Sequence, residues 1–258
     1  MSRLRAICPD CRTHTAVAVE REYECHSCGR TFRAGLIRVP RAWGQGGDAM
    51  AEAAALRLPY PEAAVVDEDT LAAQSLALAR ELPDNPIVLG GCCCAHMGAV
   101  EGLAARHGRI AVLWFDAHGD LNTIESSPSG NEWATPLRRL IDSGAVGAED
   151  VALLGTRNLD PPEEKFIAAA GVGLGPRSLD QALADTGGAY VAIDFDAFDE
   201  REVAPFMPEP DGLSLAEVED TLSSVRARKP ILGAGFTAFL PDERNIPALS
   251  RLAVAAGF

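Results

Sequence analysis

The sequence contains no apolar run of the roughly 18 residues that a membrane span requires. The amino-terminal stretch MSRLRAICPD also lacks an apolar signal core, so we expect a cytoplasmic protein that is not secreted. In that compartment the seven cysteines are expected to be reduced thiols or metal ligands rather than disulfides. Aromatic residues are also scarce in the first 35 residues, where Tyr23 and Phe32 alone could stack on bases.

Positive charge is scarce over most of the chain, whose net charge is −14. Residues 1–41 are the exception, since they contain eight arginines and four acidic residues. This difference indicates two physical units, a basic head and an acidic body. The acidic body disfavours broad nucleic-acid binding, because contacts to phosphates dominate such affinity. A length of 258 residues with 47% hydrophobic content suits one sizeable domain with a small appendage.

The head contains two CxxC pairs, in CPDC and CHSCG, separated by a segment that alternates apolar and polar residues like a strand. Two such pairs can present four thiolates tetrahedrally to one zinc ion. A head of about 35 residues is too small to fold on core burial alone, so zinc would supply its stability. We predict a zinc ribbon over residues 1–35, similar to rubredoxin-like ribbons, that binds structural Zn²⁺ and is able to dock a partner. Its ligands would be Cys8, Cys11, Cys25 and Cys28.

From residue 36 the sequence alternates apolar strands with helical stretches, which predicts one α/β domain over residues 36–258. Strands that are apolar throughout, such as IAVLWF, fit a parallel sheet buried on both faces. Ser214 and Glu217 predict a capping box at the start of a helix. The predicted strands are 36–40, 86–89, 110–115, 151–155, 189–193 and 231–236. The predicted helices include 68–82, 95–106, 136–143, 162–170 and 215–225.

Two acidic clusters follow predicted strands, at the edge of the sheet where such folds bind ligands. In LWFDAHGDLN, Asp116, His118 and Asp120 alternate, and an extended backbone would place them on one side. In AIDFDAFD, Asp194 and Asp196 share one side, although this segment alone also fits a helix cap or a solvated loop. Together, the five side chains would repel or lie idle without a divalent cation. They indicate a dinuclear site that suits Mn²⁺ better than a thiophilic metal.

Residues 36–258 resemble the ureohydrolase superfamily, which includes arginase, agmatinase and formimidoylglutamase. The matching motifs occur in family order: LGG before a ligand-bearing helix, DAHGDLN, SPSGN, DFDAFD and LPDERN. The resemblance implies a three-layer α/β/α sandwich with a mainly parallel sheet, a homo-oligomeric state and two Mn²⁺ ions. The implied metal ligands are Asp116, His118, Asp120, Asp194 and Asp196.

The resemblance also implies metal-assisted hydrolysis of a C–N bond in a small guanidino or amidino compound. Asp120 is implied as the catalytic residue that accepts a proton and passes it to the departing amine. Asn122, Ser129 and Asn131 match family positions that line or grip the substrate.

Cys93 stands where the family has a histidine, two residues after the glycine pair, as its first metal ligand. It begins the predicted helix, and as a thiolate it would coordinate one ion, whereas as a thiol it would leave that ion short of a ligand. His96, one helical turn later, is an alternative ligand, although a satisfied or solvent-facing histidine is the favoured interpretation. Cys92 and Cys94 are expected to fill the core.

Two further departures from the family concern the substrate. Trp133 replaces a histidine in SGNEWATP, and Thr237 or Ala238 stands where a glutamate holds the guanidinium group. Because a guanidinium without a carboxylate partner loses a strong charge-assisted bond, we expect a substrate other than plain arginine. Glu132 and Glu125 are candidate replacements for that carboxylate.

Three functions remain open at this point. The complete set of five metal ligands favours an enzyme. A catalytically lapsed binding or regulatory subunit would instead explain the changes at Cys93, Trp133 and Ala238. In the third, the ribbon is the functional part of the protein and docks nucleic acid or a partner protein. The arginines of the head are compatible with this function.

Overall fold

The computed structural model describes residues 5–19 and 22–258; residues 1–4, 20 and 21 of the predicted ribbon lie outside this description. The head forms a small antiparallel sheet in the order β1-β2-β3. Its strands are β1 (Ala16–Val19), β2 (Glu22–Cys25) and β3 (Thr31–Phe32). Two isolated backbone hydrogen bonds extend the hairpin by pairing Ala6 with Ala16.

The body contains eight strands and eight helices within the described residues. The strands are β4 (Gly35–Val39), β5 (Glu62–Val65), β6 (Pro86–Gly90), β7 (Ala111–Phe115), β8 (Val151–Leu154), β9 (Gly173–Leu174), β10 (Ala189–Asp194) and β11 (Ile231–Thr237). The helices are α1 (Asp48–Ala53), α2 (Leu71–Glu81), α3 (Ala95–His107), α4 (Pro136–Asp142), α5 (Pro161–Ala170), α6 (Leu179–Ala184), α7 (Leu215–Arg226) and α8 (Asn245–Ala256).

These strands form a single sheet in the order β5-β4-β6-β11-β10-β7-β8-β9, and every pairing in it is parallel. Successive residues of a strand point to opposite faces of the sheet. In β7, Leu113 and Phe115 therefore belong to the core on the α7 and α8 side, whereas Val112 and Trp114 belong to the core beneath α2, α3 and α4. The predicted three-layer α/β/α sandwich with a parallel sheet is confirmed.

The predicted strands and helices of the body are present, and their bounds differ by one to three residues. Ser214 begins α7 with the predicted capping box: its Oγ accepts from Glu217 N at 3.2 Å, and Glu217 Oε2 accepts from Ser214 N at 2.8 Å. Helix α2 begins later than predicted, because Thr70 is its N-cap and accepts from Ala73 N at 3.2 Å. The short edge strand β5 was not predicted; its residues are mostly exposed and show no apolar alternation.

The head packs against the α7 and α8 side of the body. Tyr23 stacks on Phe32 with ring centroids 5.3 Å apart and meets the edge of Tyr60 at 6.2 Å. The Tyr23 hydroxyl donates to Pro59 O at 3.1 Å. Cys8 and Cys25 are buried within the same apolar cluster, so the head shares a core with the body.

Within the described residues, no helix is both long and apolar enough to cross a membrane.

Candidate metal centre

Four adjacent strands, β6, β11, β10 and β7, end at the same edge of the sheet and form the floor of one site. Asp116 directly follows β7, and Asp194 is the last residue of β10. Thr237 ends β11 and pairs in register with Asp194. Cys93 lies in the turn between β6 and α3. Because the strands are parallel, four segments that are distant in sequence bring their side chains together at this edge.

The predicted ligands form two groups of possible metal donors that share Asp116. One group consists of Asp116, His118 and Asp196, and the other of Cys93, Asp116 and Asp120. Within each group the donor atoms lie within 4.8 Å of one another. A carboxylate common to both groups is placed as a bridging ligand between two cations would be.

The first group is organised around His118. Its Nδ1 lies 2.9 Å from Asp196 Oδ2 and 3.4 Å from Asp116 Oδ1. Backbone amides orient both carboxylates, because His118 N donates to Asp116 Oδ1 at 2.7 Å and Ala117 N donates to Asp196 Oδ1 at 2.9 Å. Trp114 Nε1 donates to the second oxygen of Asp116 at 3.1 Å.

The second group contains Cys93, whose Sγ lies 2.8 Å from Asp194 Oδ2, 3.8 Å from Asp116 Oδ2 and 3.4 Å from Thr237 Oγ1. Asp194 also accepts from Asp196 N at 2.8 Å and thereby caps the short 3₁₀ turn 195–197. Cys93 precedes the helix rather than beginning it, since Cys94 is the N-cap of α3. Of the two aspartates of DFD, Asp196 belongs to the group around His118, whereas Asp194 belongs to neither group and contacts Cys93.

Asp120 lies in the site because of a turn in the backbone and not because residues 116 to 120 alternate along an extended strand. Its φ of 53° is in the left-handed region, so the backbone from Asp116 to Asp120 is not extended as predicted. The turn nevertheless buries the carboxylate, and its Oδ2 has no hydrogen-bond partner among the described residues. A buried carboxylate oxygen without a partner is costly, which indicates a missing cation or proton.

The electrostatics of the site are those of a cluster of acids that lacks a counter-charge. Burial, helped by Asp196, raises the pKa of Asp116 to about 7. Burial also raises the pKa values of Asp120 and Asp194 well above their usual range. Although burial opposes its charged form, hydrogen bonds and charge from Asp116 and Asp196 raise the pKa of His118 to about 12. These shifts reflect the crowding of acids at one buried place, and a bound cation would favour the charged forms of the carboxylates.

A cavity of about 260 Å³ lies above the two groups. One wall is apolar, and Trp133 and Phe206 meet there edge to face with centroids 6.1 Å apart. The segment after β4 closes this side: the ring of Trp133 leaves no room for a Cβ at Gly44, and Gln45 N donates to Asn131 Oδ1 at 3.1 Å. The cavity admits a small molecule that has both an apolar portion and a polar end directed at the acids.

The three predicted substrate residues all line this cavity, but in different ways. Asn122 is buried with both ends of its amide bonded, to Asp160 Oδ2 at 2.8 Å and to Ser126 Oγ at 2.8 Å. It therefore holds the loop in place. Ser129 is exposed and its Oγ accepts from Asn131 N at 3.2 Å, so Ser129 and Asn131 form the rim.

The position expected for the guanidinium-binding glutamate is now resolved. Ala238 lines the cavity, whereas Thr237 is fully buried beneath Cys93. Neither of the candidate replacement carboxylates lines the cavity: Glu132 forms an ion pair with Arg139, and Glu125 lies on the exterior loop. Neither residue is therefore placed in the described structure to replace the glutamate at the cavity wall.

His96 is not among the metal donors. It is completely buried, with Nδ1 3.0 Å from the Tyr190 hydroxyl and Nε2 3.1 Å from Thr237 Oγ1. Burial lowers its pKa to about 3, so the ring is neutral. Of the two interpretations that the sequence favoured, the satisfied histidine is confirmed and the solvent-facing one is wrong. Through Thr237, His96 supports the thiol of Cys93 from below.

Three residues of the site were missed in the sequence. Glu209 Oε1 lies 3.5 Å from His118 Nε2, on the side of the ring away from the acids, and accepts from Asn158 Nδ2 at 3.1 Å. Arg157 fixes this loop by donating to the carbonyl oxygens of Glu209 at 3.0 Å and Asp196 at 2.7 Å. It also donates to Gly155 O at 2.8 Å and Pro210 O at 2.6 Å. In the sequence, Glu209 was visible only as one of two acidic residues in MPEPDG.

The four cysteines of the head form a separate group of possible metal donors, again with all sulfurs within 4.8 Å. Cys8 Sγ lies 3.6 Å from Cys28 Sγ, and Cys11 Sγ lies 3.5 Å from Cys25 Sγ. These separations are far longer than a disulfide bond and are close to the edge of a tetrahedron around zinc. A hydrogen bond with the Thr15 hydroxyl lowers the pKa of Cys25 to about 5, which favours the thiolate form that binds metal.

The fold and the acids together define a class: an α/β/α protein whose central parallel strands end in a two-part, carboxylate-rich site. The arginase family matches residues 50–255 by sequence, and the chain therefore belongs to the arginase family.

The chain is also similar to individual proteins of known sequence, and its fold is similar to solved structures. Arginase from Bacillus caldovelox is 32% identical over 190 residues, which cover 62% of this chain and 63% of that protein. The match thus spans less than two thirds of the relative's length. Arginase from Bacillus subtilis superposes with a TM-score of 0.75 at 21% identity, covering 86% of this chain and 97% of that structure. Formimidoylglutamase from the same species gives a TM-score of 0.69 at 17% identity, with coverages of 88% and 87%.

Proposed function

We propose that this chain is a metal-dependent hydrolase that cleaves a C–N bond in a small guanidino or amidino compound. The observation that carries the proposal is the convergence of Asp116, His118, Asp120, Asp194 and Asp196 on the floor of one cavity in an arginase-family fold. The groups share Asp116, and Asp120 Oδ2 is buried without a partner. This donor set suits a pair of divalent cations, and its oxygen-rich half suits Mn²⁺.

Different residues of the chain would have different roles in such a reaction. When bound, divalent cations lower the pKa of water and offset negative charge in the transition state. Asp116 and His118 would hold metal at the floor of the site, and the carboxylate of Asp120 would accept a proton and return it to the departing amine. Asn131 at the rim orients the substrate, while Trp133 and Phe206 exclude water from the cavity.

The substrate is proposed to differ from arginine in what it presents at Ala238. The family resemblance places a carboxylate at this point, and here an alanine methyl group lines the cavity instead. Trp133 adds further apolar surface to the same cavity. A compound whose reacting end is uncharged fits this lining better than one with a guanidinium, because it does not need a buried carboxylate partner.

We also propose that the head, residues 1–35, is a zinc ribbon attached to the hydrolase body of residues 36–258. The four sulfurs of Cys8, Cys11, Cys25 and Cys28 lie at separations suited to a tetrahedral structural Zn²⁺. The ribbon is proposed to dock a partner, and a homo-oligomeric, cytoplasmic protein remains the prediction from the sequence.

The test of the proposed hydrolase is product release from a panel of small compounds. Purified protein loaded with Mn²⁺ is assayed for urea or ammonia release from guanidino, formimino and other amidino compounds. We expect turnover with at least one amidino compound, its loss after chelation, and recovery when metal is returned. Asp120→Asn should abolish turnover, whereas the control Asp199→Asn should not, because Asp199 lies outside the cavity and pairs with Arg201.

A catalytically lapsed binding or regulatory subunit is the alternative, and the changed lining at Ala238 and Trp133 is the observation that favours it. In that case the site binds metal and the compounds bind, as measured by calorimetry, while product release stays at the level of the Asp120→Asn variant for the whole panel. That outcome would overturn the hydrolase and establish the alternative.

A further inference from the structure

We propose that the two halves of the metal centre select different metals: the half that contains Cys93 takes a thiophilic divalent cation such as Zn²⁺ or Fe²⁺, and the His118 half takes Mn²⁺. The inference rests on the metal centre of the proposed function and adds that the centre is heteronuclear. It also explains why a cysteine is compatible with an otherwise complete set of acids.

The donor atoms of the Cys93 half are placed to share one cation. Cys93, Asp116 and Asp120 each offer a donor atom within 4.8 Å of the others, and Cys93 Sγ lies 3.8 Å from Asp116 Oδ2. Asp194 lies outside this group, although its Oδ2 is 2.8 Å from Cys93 Sγ. For a tetrahedral ion with bonds of about 2.0 to 2.3 Å, neighbouring donors lie roughly 3.3 to 3.8 Å apart. The group would need to adjust by only a few tenths of an ångström at Asp116.

An independent feature points to the same cation. Asp120 is buried, and its Oδ2 has no hydrogen-bond partner among residues 5–19 and 22–258. Cys93 and Asp120 are 4% and 5% exposed, and both line the cavity. A cation bound between them would satisfy both at once, and the thiol would lose its proton as the Sγ–metal bond formed.

The two halves differ in the softness of their donors. The His118 half offers one imidazole nitrogen and the oxygens of Asp116 and Asp196, a set that suits Mn²⁺. The Cys93 half offers a sulfur and carboxylate oxygens, and thiolate ligands favour Zn²⁺ and Fe²⁺ over Mn²⁺. Zn²⁺ binds most sites more tightly than Mn²⁺, so the distinguishing quantity is the ratio of the two affinities, which should be larger at the Cys93 half.

The surroundings of Cys93 hold its sulfur toward the acids. Thr237 Oγ1 lies 3.4 Å from Sγ on the buried side, and His96 Nε2 in turn lies 3.1 Å from Thr237 Oγ1. This chain ends at the Tyr190 hydroxyl, 3.0 Å from His96 Nδ1. Partners of this kind orient a metal ligand and tune its affinity. The adjacent Cys94 is equally buried but is not among the donors, which makes it a matched control.

The experiment compares the full-length protein with Cys93→His and Cys94→Ser. Mn²⁺ binding is followed by the electron paramagnetic resonance of the free ion, and one equivalent of Co²⁺ is then added as a spectroscopic substitute for Zn²⁺. We expect the unmodified protein and Cys94→Ser to bind the second Mn²⁺ on the order of tenfold more weakly than Cys93→His does. Added Co²⁺ should displace that Mn²⁺ and produce a thiolate-to-cobalt charge-transfer band. The head thiols are present in every variant, so difference spectra against Cys93→His remove their contribution.

The inference is overturned if the unmodified protein binds two Mn²⁺ ions as tightly as Cys93→His does, or if the difference spectrum shows no thiolate band. Its failure is distinguishable from that of the hydrolase. Two equally tight Mn²⁺ ions with turnover retain the hydrolase and refute the heteronuclear centre. The cobalt band without turnover of any compound retains the heteronuclear centre and refutes the hydrolase. Absence of any metal binding to the body refutes both.

Discussion

The head and the body each bring metal-type ligands together, but by opposite means. In the head, four sulfurs from residues 8 to 28 meet on a hairpin of three short strands, and one of them, Cys28, is exposed. In the body, the donors extend from Cys93 to Asp196 and meet because four parallel strands end side by side. We infer from this comparison that the head would depend on its ligands for its fold, whereas the body depends on its fold for its ligands.

The largest effect is expected from removing two sulfurs of the head. Cys25→Ser combined with Cys28→Ser should remove about one equivalent of zinc per chain and unfold residues 5–35, because zinc binding supplies the folding free energy of so small a unit. The body should remain folded. Zinc analysis and limited proteolysis check both points, with His26→Ala as control, since this exposed residue lies between the two cysteines. Unchanged zinc content in the double variant would refute the ribbon.

The second effect tests the opposite dependence in the body. Asp196→Ala should weaken Mn²⁺ binding about 100-fold, because it removes one of the two carboxylates in the group with His118. The midpoint of urea unfolding of the metal-free protein should stay equal or rise, because one member of a repelling group of acids is gone. Asp199→Ala, three residues along, should change neither quantity. If Asp196→Ala unfolds the body, the fold depends on Asp196, and the contrast drawn between the head and the body is wrong.

A third and smaller effect concerns the lining of the cavity. Ala238→Glu places a carboxylate where the family resemblance expects one, and the affinity for guanidino compounds should rise about tenfold through a hydrogen bond to a charged group. Ala238 has a φ of 56°, so any long side chain is strained there. Ala238→Gln carries the same strain without the charge and is the matched control. Calorimetry with a guanidino compound measures the difference, and equal affinities of the two variants would contradict the assignment of this position.

The smallest effect concerns the fold of the body alone. Ser214→Ala removes the side-chain half of the capping box of α7 and should lower the free energy of unfolding by about 1 kcal/mol. Urea unfolding followed by circular dichroism measures this value. Ser223→Ala, an exposed serine near the end of the same helix, should change stability by a few tenths of a kcal/mol at most. Zinc content should be the same in both variants, because neither serine belongs to the four-sulfur group of the head. A loss of zinc in either variant would contradict this expectation.

The sequence was informative where local chemistry decides the structure. Apolar strands such as β7 predicted the parallel sheet, and Ser214 with Glu217 predicted the start of α7. Asp116, a ligand at the end of a strand, was found because one strand leads directly into it. These features need only a few neighbouring residues to be recognised.

Other features depend on contacts between distant segments and were not accessible in this way. Asp120 adopts a left-handed backbone, which a pattern of alternation does not reveal. Glu209 reaches His118 from a loop 91 positions later in the chain. His96 looked like a possible ligand because helical spacing alone does not reveal that Tyr190 and Thr237 occupy both nitrogens of its ring.

Arg157 restricts the movement of one wall of the cavity. Its guanidinium ties the carbonyl oxygens of Gly155, Asp196, Glu209 and Pro210 together, so the wall beyond His118 is braced to the floor. Swinging that wall aside would break several hydrogen bonds at once. The opposite wall is tied to the rim by the single bond between Gln45 N and Asn131 Oδ1. Any movement of the cavity walls would therefore not come from the side that Arg157 holds.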